Sequence, residues 1–246
     1  MYPEEPVQKA VEDAYAAFAS YARPAKWRAA PGKNGEQLLA RLSATPLREA
    51  ERDAVGRYAH SALYTIGDVD DFKHFLPRIL DLAVRDPRHG WIGLDAPIIA
   101  AHLQYASWRT WPSVEQDVIG RVFETAFDLR CRLHPGESPS DDWLCGMAAL
   151  GLDVSGVLQR WLHPLSLEGV LQVAHLTGLD LEHLARADVE GGYWTFVDSS
   201  NRQSIVQWLL TDEVRSGLTW GLGVAVGDDV ADLERALTAL ARQASC

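Results

Sequence analysis

Apolar residues recur every three or four positions along most of this chain, the spacing that places side chains on one face of a helix. Val7, Val11, Tyr15, Phe18 and Ala22 form one such face, and Val230, Leu233, Leu237 and Leu240 form another near the C-terminus. Between them, "TPLREAERDAVGRYAHSALYTIG" predicts a helix with Thr45 as N-cap and Pro46 at its first position. Its stripe runs through Leu47, Ala50, Ala54, Tyr58 and Ala62 until Gly67 stops it. "PSVEQDVIGRVFETAFDLRCRLHP" offers Ser113 and Gln116 as a capping box, an inner face of Ile119, Val122, Phe123 and Ala126, and an end at Pro135. "SNRQSIVQWLL" repeats the device with Ser200 and Gln203. Shorter helices are expected at about 95–107, 141–150, 153–162 and 166–177.

Strand signals are sparse. "GGYWTFVD" alone is rich in aromatic and β-branched residues without helical period, and "GLTWGLGVAVGDD" is glycine-rich and reads as a loop or a fragmentary turn. The pattern therefore predicts an all-α protein, a single helical domain over residues 1–246. Short turns containing Gly, Pro or Asp imply antiparallel helical hairpins. Turn signals at Asp86-Pro87, His134-Pro135 and His163-Pro164 are 48 and 29 residues apart, and only the first spacing is near a HEAT or armadillo period. An irregular HEAT/armadillo-like array is the expected arrangement, with a globular bundle as the alternative.

Composition narrows the function classes. A chain of 246 residues that is 47% hydrophobic and 23% charged, with nine tryptophans, is globular in character. The formal charge of −11, with no concentrated lysine and arginine stripe, argues against a nucleic-acid partner and is compatible with a basic protein partner. Cys131, Cys145 and Cys246 are odd in number and far apart, so neither a disulfide framework nor a cysteine zinc site is indicated. The opening "MYPEEPVQKAVEDAY" carries four acids and no positive stretch before an apolar run, unlike a signal peptide. No apolar run approaches the length of a membrane span. A cytoplasmic location and no membrane partner are the expectation.

The densest cluster of chemistry-bearing residues is "GDVDDFKHFLPRIL", residues 67–80. Asp70 and His74 are four apart, Asp71 and His74 three apart, and pairs so spaced can bind metal in helical bundles when a second helix adds a carboxylate or histidine. Neither an H-x-x-x-H nor an E-x-x-H pair occurs elsewhere in the chain to supply that second helix. A structural reading explains more of these residues. Gly67 ends one helix and Asp68 caps the next; Asp70 and Asp71 meet the positive end of the helix dipole; Phe72, Phe75, Leu76, Ile79 and Leu80 face inward. Pro77 should kink this helix or begin a second segment. The longer stretch "TIGDVDDFKHFLPRIL" resembles a segment of uncharacterised bacterial all-helical proteins. That resemblance implies a helical fold and carries no activity.

"WRTWPSVEQD" sets Arg109 between Trp108 and Trp111 at a turn, which suits either an interface anchor or the closure of a helical hairpin. Cys145 has no histidine nearby in sequence to activate it, and Asp141 and Asp142 fit a helix start. His134 and His163 precede prolines at helix ends, while His175 and His183 lie on separate segments. Neither a phosphate-binding glycine loop nor a G-x-S-x-G elbow is present, and the G-x-G of "GLTWGLGVAVGD" lacks a βαβ unit.

These observations favour a non-enzymatic helical scaffold that binds another protein. Its sharper form is an immunity or antitoxin-like protein masking a basic partner. Trp108, Arg109, Trp111, Asp70 and Asp71 are the binding candidates, and Asp70, Asp71 and His74 are the residues a metal would use if one were bound. Neither cofactor nor metal is expected. The alternative is an enzyme whose site assembles from distant helices. Oligomeric state has no signature in the sequence.

Overall fold

A computed structural model describes residues 5–30, 34–85, 93–186 and 192–243, apart from the side chain of Asp180. The Asp86-Pro87 turn signal and Cys246 lie outside the described residues. Among those described, the chain is helical with no strand, only isolated bridges pairing Ala29 and Ala62 with Ile66. The fold is all-α. No helix among the described residues is long and apolar enough to cross a membrane. The chain divides into two compact units, residues 3–125 and 126–246.

The first unit contains α1 (Glu5–Ala17), α2 (Gly35–Ser43), α3 (Arg52–Ser61), α4 (Val69–Arg85) and α5 (Ala96–Tyr105). It also takes most of α6 (Ser113–Arg130). α1, α3 and the short 3-10 turn Leu47–Glu49 all pack on α4, and α2 packs on α3. α4 is the centre because Phe72, Phe75, Leu76, Ile79, Leu80, Leu82, Ala83 and Val84 are all buried. Its start follows the expected capping: the Asp68 carboxylate accepts the Asp70 and Asp71 backbone N–H groups, each at 3.0 Å. In return the Asp71 carboxylate accepts the Asp68 N–H at 3.1 Å. Of the two outcomes expected at Pro77, a kink or a second segment, the second does not occur: one helix runs from Val69 to Arg85 with Pro77 inside it.

The helix expected from Thr45 to Gly67 is broken. Leu47–Glu49 is a 3-10 turn, Ala50 is extended at φ −55° and ψ 132°, and the α-helix covers only Arg52–Ser61. A tertiary bond competes here with helical periodicity, because Nε and Nη2 of Arg78 on α4 donate to the Ala50 carbonyl at 3.2 and 3.0 Å. Neither capping box forms as expected. Ser113 lies inside α6, whose first N–H donors, from Glu115 and Gln116, go to the Pro112 carbonyl; the Gln116 side chain donates to the Arg109 and Trp111 carbonyls instead. At the other site the carboxylate two residues earlier wins, and Asp198 accepts both the Asn201 N–H and the Ser200 hydroxyl.

The second unit holds α7 (Asp141–Ala149), α8 (Val154–Trp161), α9 (Leu167–Ala185), α10 (Ser199–Leu209), α11 (Asp212–Val224) and α12 (Asp228–Gln243). α10, α11 and α12 all pack on α9, which runs well beyond the expected end at 177. "GGYWTFVD" supplies a 3-10 turn, Tyr193–Phe196, rather than a strand. The stretch read as a glycine-rich loop is most of α11. Its glycines are the contact face: a Cβ at Gly221 would come within 2.8 Å of Val170 on α9, and one at Gly217 within 3.3 Å of Leu162. Buried Gln172 on α9 closes the end of α6, its amide donating to the Arg130, Leu133 and Ser138 carbonyls while its carbonyl accepts the Ser140 N–H. Such an amide satisfies backbone groups that the ended helix leaves open.

Candidate interaction surface

The residues singled out from sequence occupy three separate places in the first unit. Asp70 is exposed, and Asp71 is turned back to the backbone of Asp68. Burial pushes the Asp71 carboxyl above the ordinary aspartate value, with the Asp68 and Asp70 charges adding to it against the Asp68 N–H bond. His74 does not join either aspartate. Its Nδ1 lies 2.8 Å from the Tyr21 carbonyl, so that nitrogen carries the proton and donates, while Nε2 is buried without a partner. Burial lowers the pKa of this imidazole, since a second proton would have no acceptor. Among the described residues, no three His, Cys, Asp or Glu side chains are grouped so as to hold a metal ion.

Trp108 and Trp111 are buried, whereas Arg109 is exposed with its guanidinium 4.3 Å above the Trp108 ring. Trp111 donates from its indole nitrogen to the Ala106 carbonyl at 3.1 Å and meets Phe18 edge-on. It also covers Lys73, whose ammonium sits 4.1 Å from its ring centroid. Lys73 and its partners are the residues that sequence reasoning missed. The ammonium donates to Glu115 at 2.7 Å and to the Tyr21 hydroxyl at 2.8 Å, and that hydroxyl donates to the other Glu115 oxygen at 2.7 Å. Both charged side chains are buried, 7% and 5% exposed. Burial by itself lowers the lysine pKa, but the bonds to Glu115 and Tyr21 outweigh it and hold the value above that of free lysine. An ion pair enclosed in this way ties α4 and α6 to the turn that follows α1.

The second unit presents a different chemistry. It carries 17 Asp and Glu against eight Arg and no Lys, while the first unit carries 17 acids against 15 bases. The excess negative charge is therefore almost entirely in the second unit. On its surface, α11 exposes Trp220 and Val224, one turn apart, and the turn that follows exposes Val226 at 78%. Asp228 and Asp229 begin α12 immediately afterwards, with Asp232 one turn on. Asp229 meets His134 at 3.0 Å and Asp232 meets Arg235 at 3.0 Å. An exposed indole and two exposed valines, followed along the chain by the aspartates that start α12, have the composition of a protein-binding patch. The sequence signal was present in "TWGLGVAVGDD", but only the helical course of α11 shows that the tryptophan and Val224 share a face.

Cys131 and Cys145 are buried and not in a disulfide, and burial pushes the Cys131 thiol well above its ordinary value, which disfavours its thiolate. Compared with known protein families, curated proteins and solved structures, the chain matches none.

Proposed function

We propose that this chain is a cytoplasmic, non-enzymatic helical scaffold that docks a basic protein, in the manner of an immunity or antitoxin-like protein that masks its partner. The observation that carries the reading is the joining of Trp220, Val224 and Val226, all exposed, to the aspartates that start α12, in a unit with 17 acids and eight bases. A tryptophan anchor supplies affinity when a partner pocket desolvates it. The surrounding carboxylates attract a cationic surface and accelerate encounter more than they tighten the complex.

The test is affinity capture from the native host, followed by titration of the purified captured protein. The reading expects that protein to be basic. Trp220→Ala should weaken the complex by about tenfold or more, chiefly through faster dissociation. Asp228→Asn with Asp229→Asn should slow association at low salt and change little at high salt. A captured partner that is acidic or neutral, or an affinity indifferent to both sets of substitutions, overturns the reading.

A further inference from the structure

The acidic second unit contains a pocket of opposite character. About 330 Å³ in volume, it is bounded by Leu184, Ala185 and Arg186 at the end of α9, by five residues of α10, and by Gln243 at the end of α12. Its polar lining is Arg186, Ser199, Arg202, Gln203, Gln207 and Gln243, with no carboxylate among the described lining residues. In a unit where acids outnumber bases by two to one, that selection is a chemical feature in its own right.

Arg202 sharpens it. Its Nε and Nη1 are shut off from water and have no hydrogen-bond partner. An arginine cannot relieve this by losing its proton, and N–H groups on a charged side chain are expensive to bury unpaired. Asp198, the carboxylate at this end of α10, is occupied by the Asn201 N–H at 2.8 Å and the Ser200 hydroxyl at 2.7 Å, not by Arg202. Arg186 is ion-paired with Glu182 one turn back on α9, outside the lining. The pocket thus brings one guanidinium that has no counter-ion among the described residues, a second arginine and three amides around a space that has room for a small molecule.

We propose that this pocket binds a small oxyanion, a phosphate or carboxylate group carried on a compact polar molecule. The anion supplies an acceptor that Arg202 lacks, once the guanidinium turns to bring the N–H of Nε or of Nη1, which lie on different edges, to an anion oxygen. The amides of Gln203, Gln207 and Gln243 and the Ser199 hydroxyl bond to the remaining oxygens or to hydroxyl groups beside them. Arg186 adds charge at the mouth. Leu184 and Val206 give the pocket an apolar wall that limits the body of the ligand.

The proposal is tested on the full chain by calorimetric titration and thermal unfolding with inorganic phosphate and with citrate. Sodium chloride at matched ionic strength serves as the reference, and the two arms separate a phosphate from a carboxylate preference. At least one probe should bind saturably, with one site per chain, and raise Tm. Arg202→Gln should weaken that binding by about tenfold or more while leaving the ligand-free protein as stable as the parent or more so, because it removes the unpaired charge. Arg235→Gln, outside the pocket on α12, should bind as the parent does. Absence of saturable binding by either probe overturns the proposal, as does equal binding by Arg202→Gln. A ligand-free Arg202→Gln protein that is clearly destabilised does so too, by showing that the guanidinium is satisfied within the fold.

Discussion

Lys73 and Glu115 show how much a fold can rest on partners that a local reading does not connect. In sequence, Lys73 is one polar position among the acids of "GDVDDFKHFLPRIL", and Glu115 is a first-turn acid of the next long helix. They are 42 residues apart, and Tyr21, which bonds both, is 52 residues from Lys73. Periodicity speaks only of neighbours within a few turns, so no rule of spacing could have found this triad. The capping aspartates were legible for the opposite reason: Asp68 acts on backbone two and three residues away. The buried pair makes a specific prediction. Lys73→Met leaves the Glu115 carboxylate enclosed without its cation and should cost about 3–5 kcal/mol. Lys73→Met combined with Glu115→Leu removes both charges and should recover stability to within about 1 kcal/mol of the parent. Urea unfolding of the two variants measures this directly. A single substitution costing less than about 1 kcal/mol would mean that water reaches the pair and that it does not organise the first unit.

At the scale of elements, the helices with an intact apolar stripe, α1, α4, α6 and α12, form where the pattern puts them, but α1 ends at Ala17, leaving Ala22 exposed outside it, and α6 ends at Arg130, short of Pro135. Errors gathered where a tertiary contact overrules local preference. Ala50 gives its carbonyl to Arg78 and the helix stops there. α11 was read as a loop because three of its thirteen residues are glycine, which disfavours a helix in isolation. Its glycines have two different meanings in the fold. Gly221 lies against α9, where a Cβ would sit 2.8 Å from Val170 and 3.2 Å from Leu233. Gly223 has nothing within 4 Å of its Cβ position and is exposed. Gly221→Ala should therefore destabilise by about 1–3 kcal/mol through overpacking. Gly223→Ala should stabilise by about 0.5–1 kcal/mol through helix propensity. Thermal unfolding of the pair gives opposite signs if α11 is a packed helix. Two changes of the same sign, or two of no effect, would restore the loop reading.

Across the whole molecule, the two units carry their charge in different ways, and this has a consequence for stability. In the first unit the near-balanced charges are interleaved: Arg48 grips Glu12 with two bonds, Arg41 meets both Glu51 and Asp53, and Asp13 lies between Lys9 and Arg121. Salt screens these exposed attractions, each of which contributes little at any ionic strength. In the second unit, 17 acids face only eight bases, so its dominant long-range interaction is self-repulsion, which salt relieves. Raising sodium chloride from about 0.02 to 0.5 M shortens the screening length from more than 20 Å to less than 5 Å, across which the two effects should separate. Hydrogen exchange reads them apart because α4 and α9 are the central helices of their respective units. The slowest amides of α9 should gain about 0.5–1 kcal/mol of protection at high salt, while those of α4 should stay level or lose a few tenths. Chloride is the right salt for this, since phosphate or citrate would also occupy the Arg202 pocket beside α9. Should α9 lose protection and α4 gain it, the charge imbalance would not be a stress on the folded second unit, and its acids would have to be paired more completely than the ion pairs described above imply.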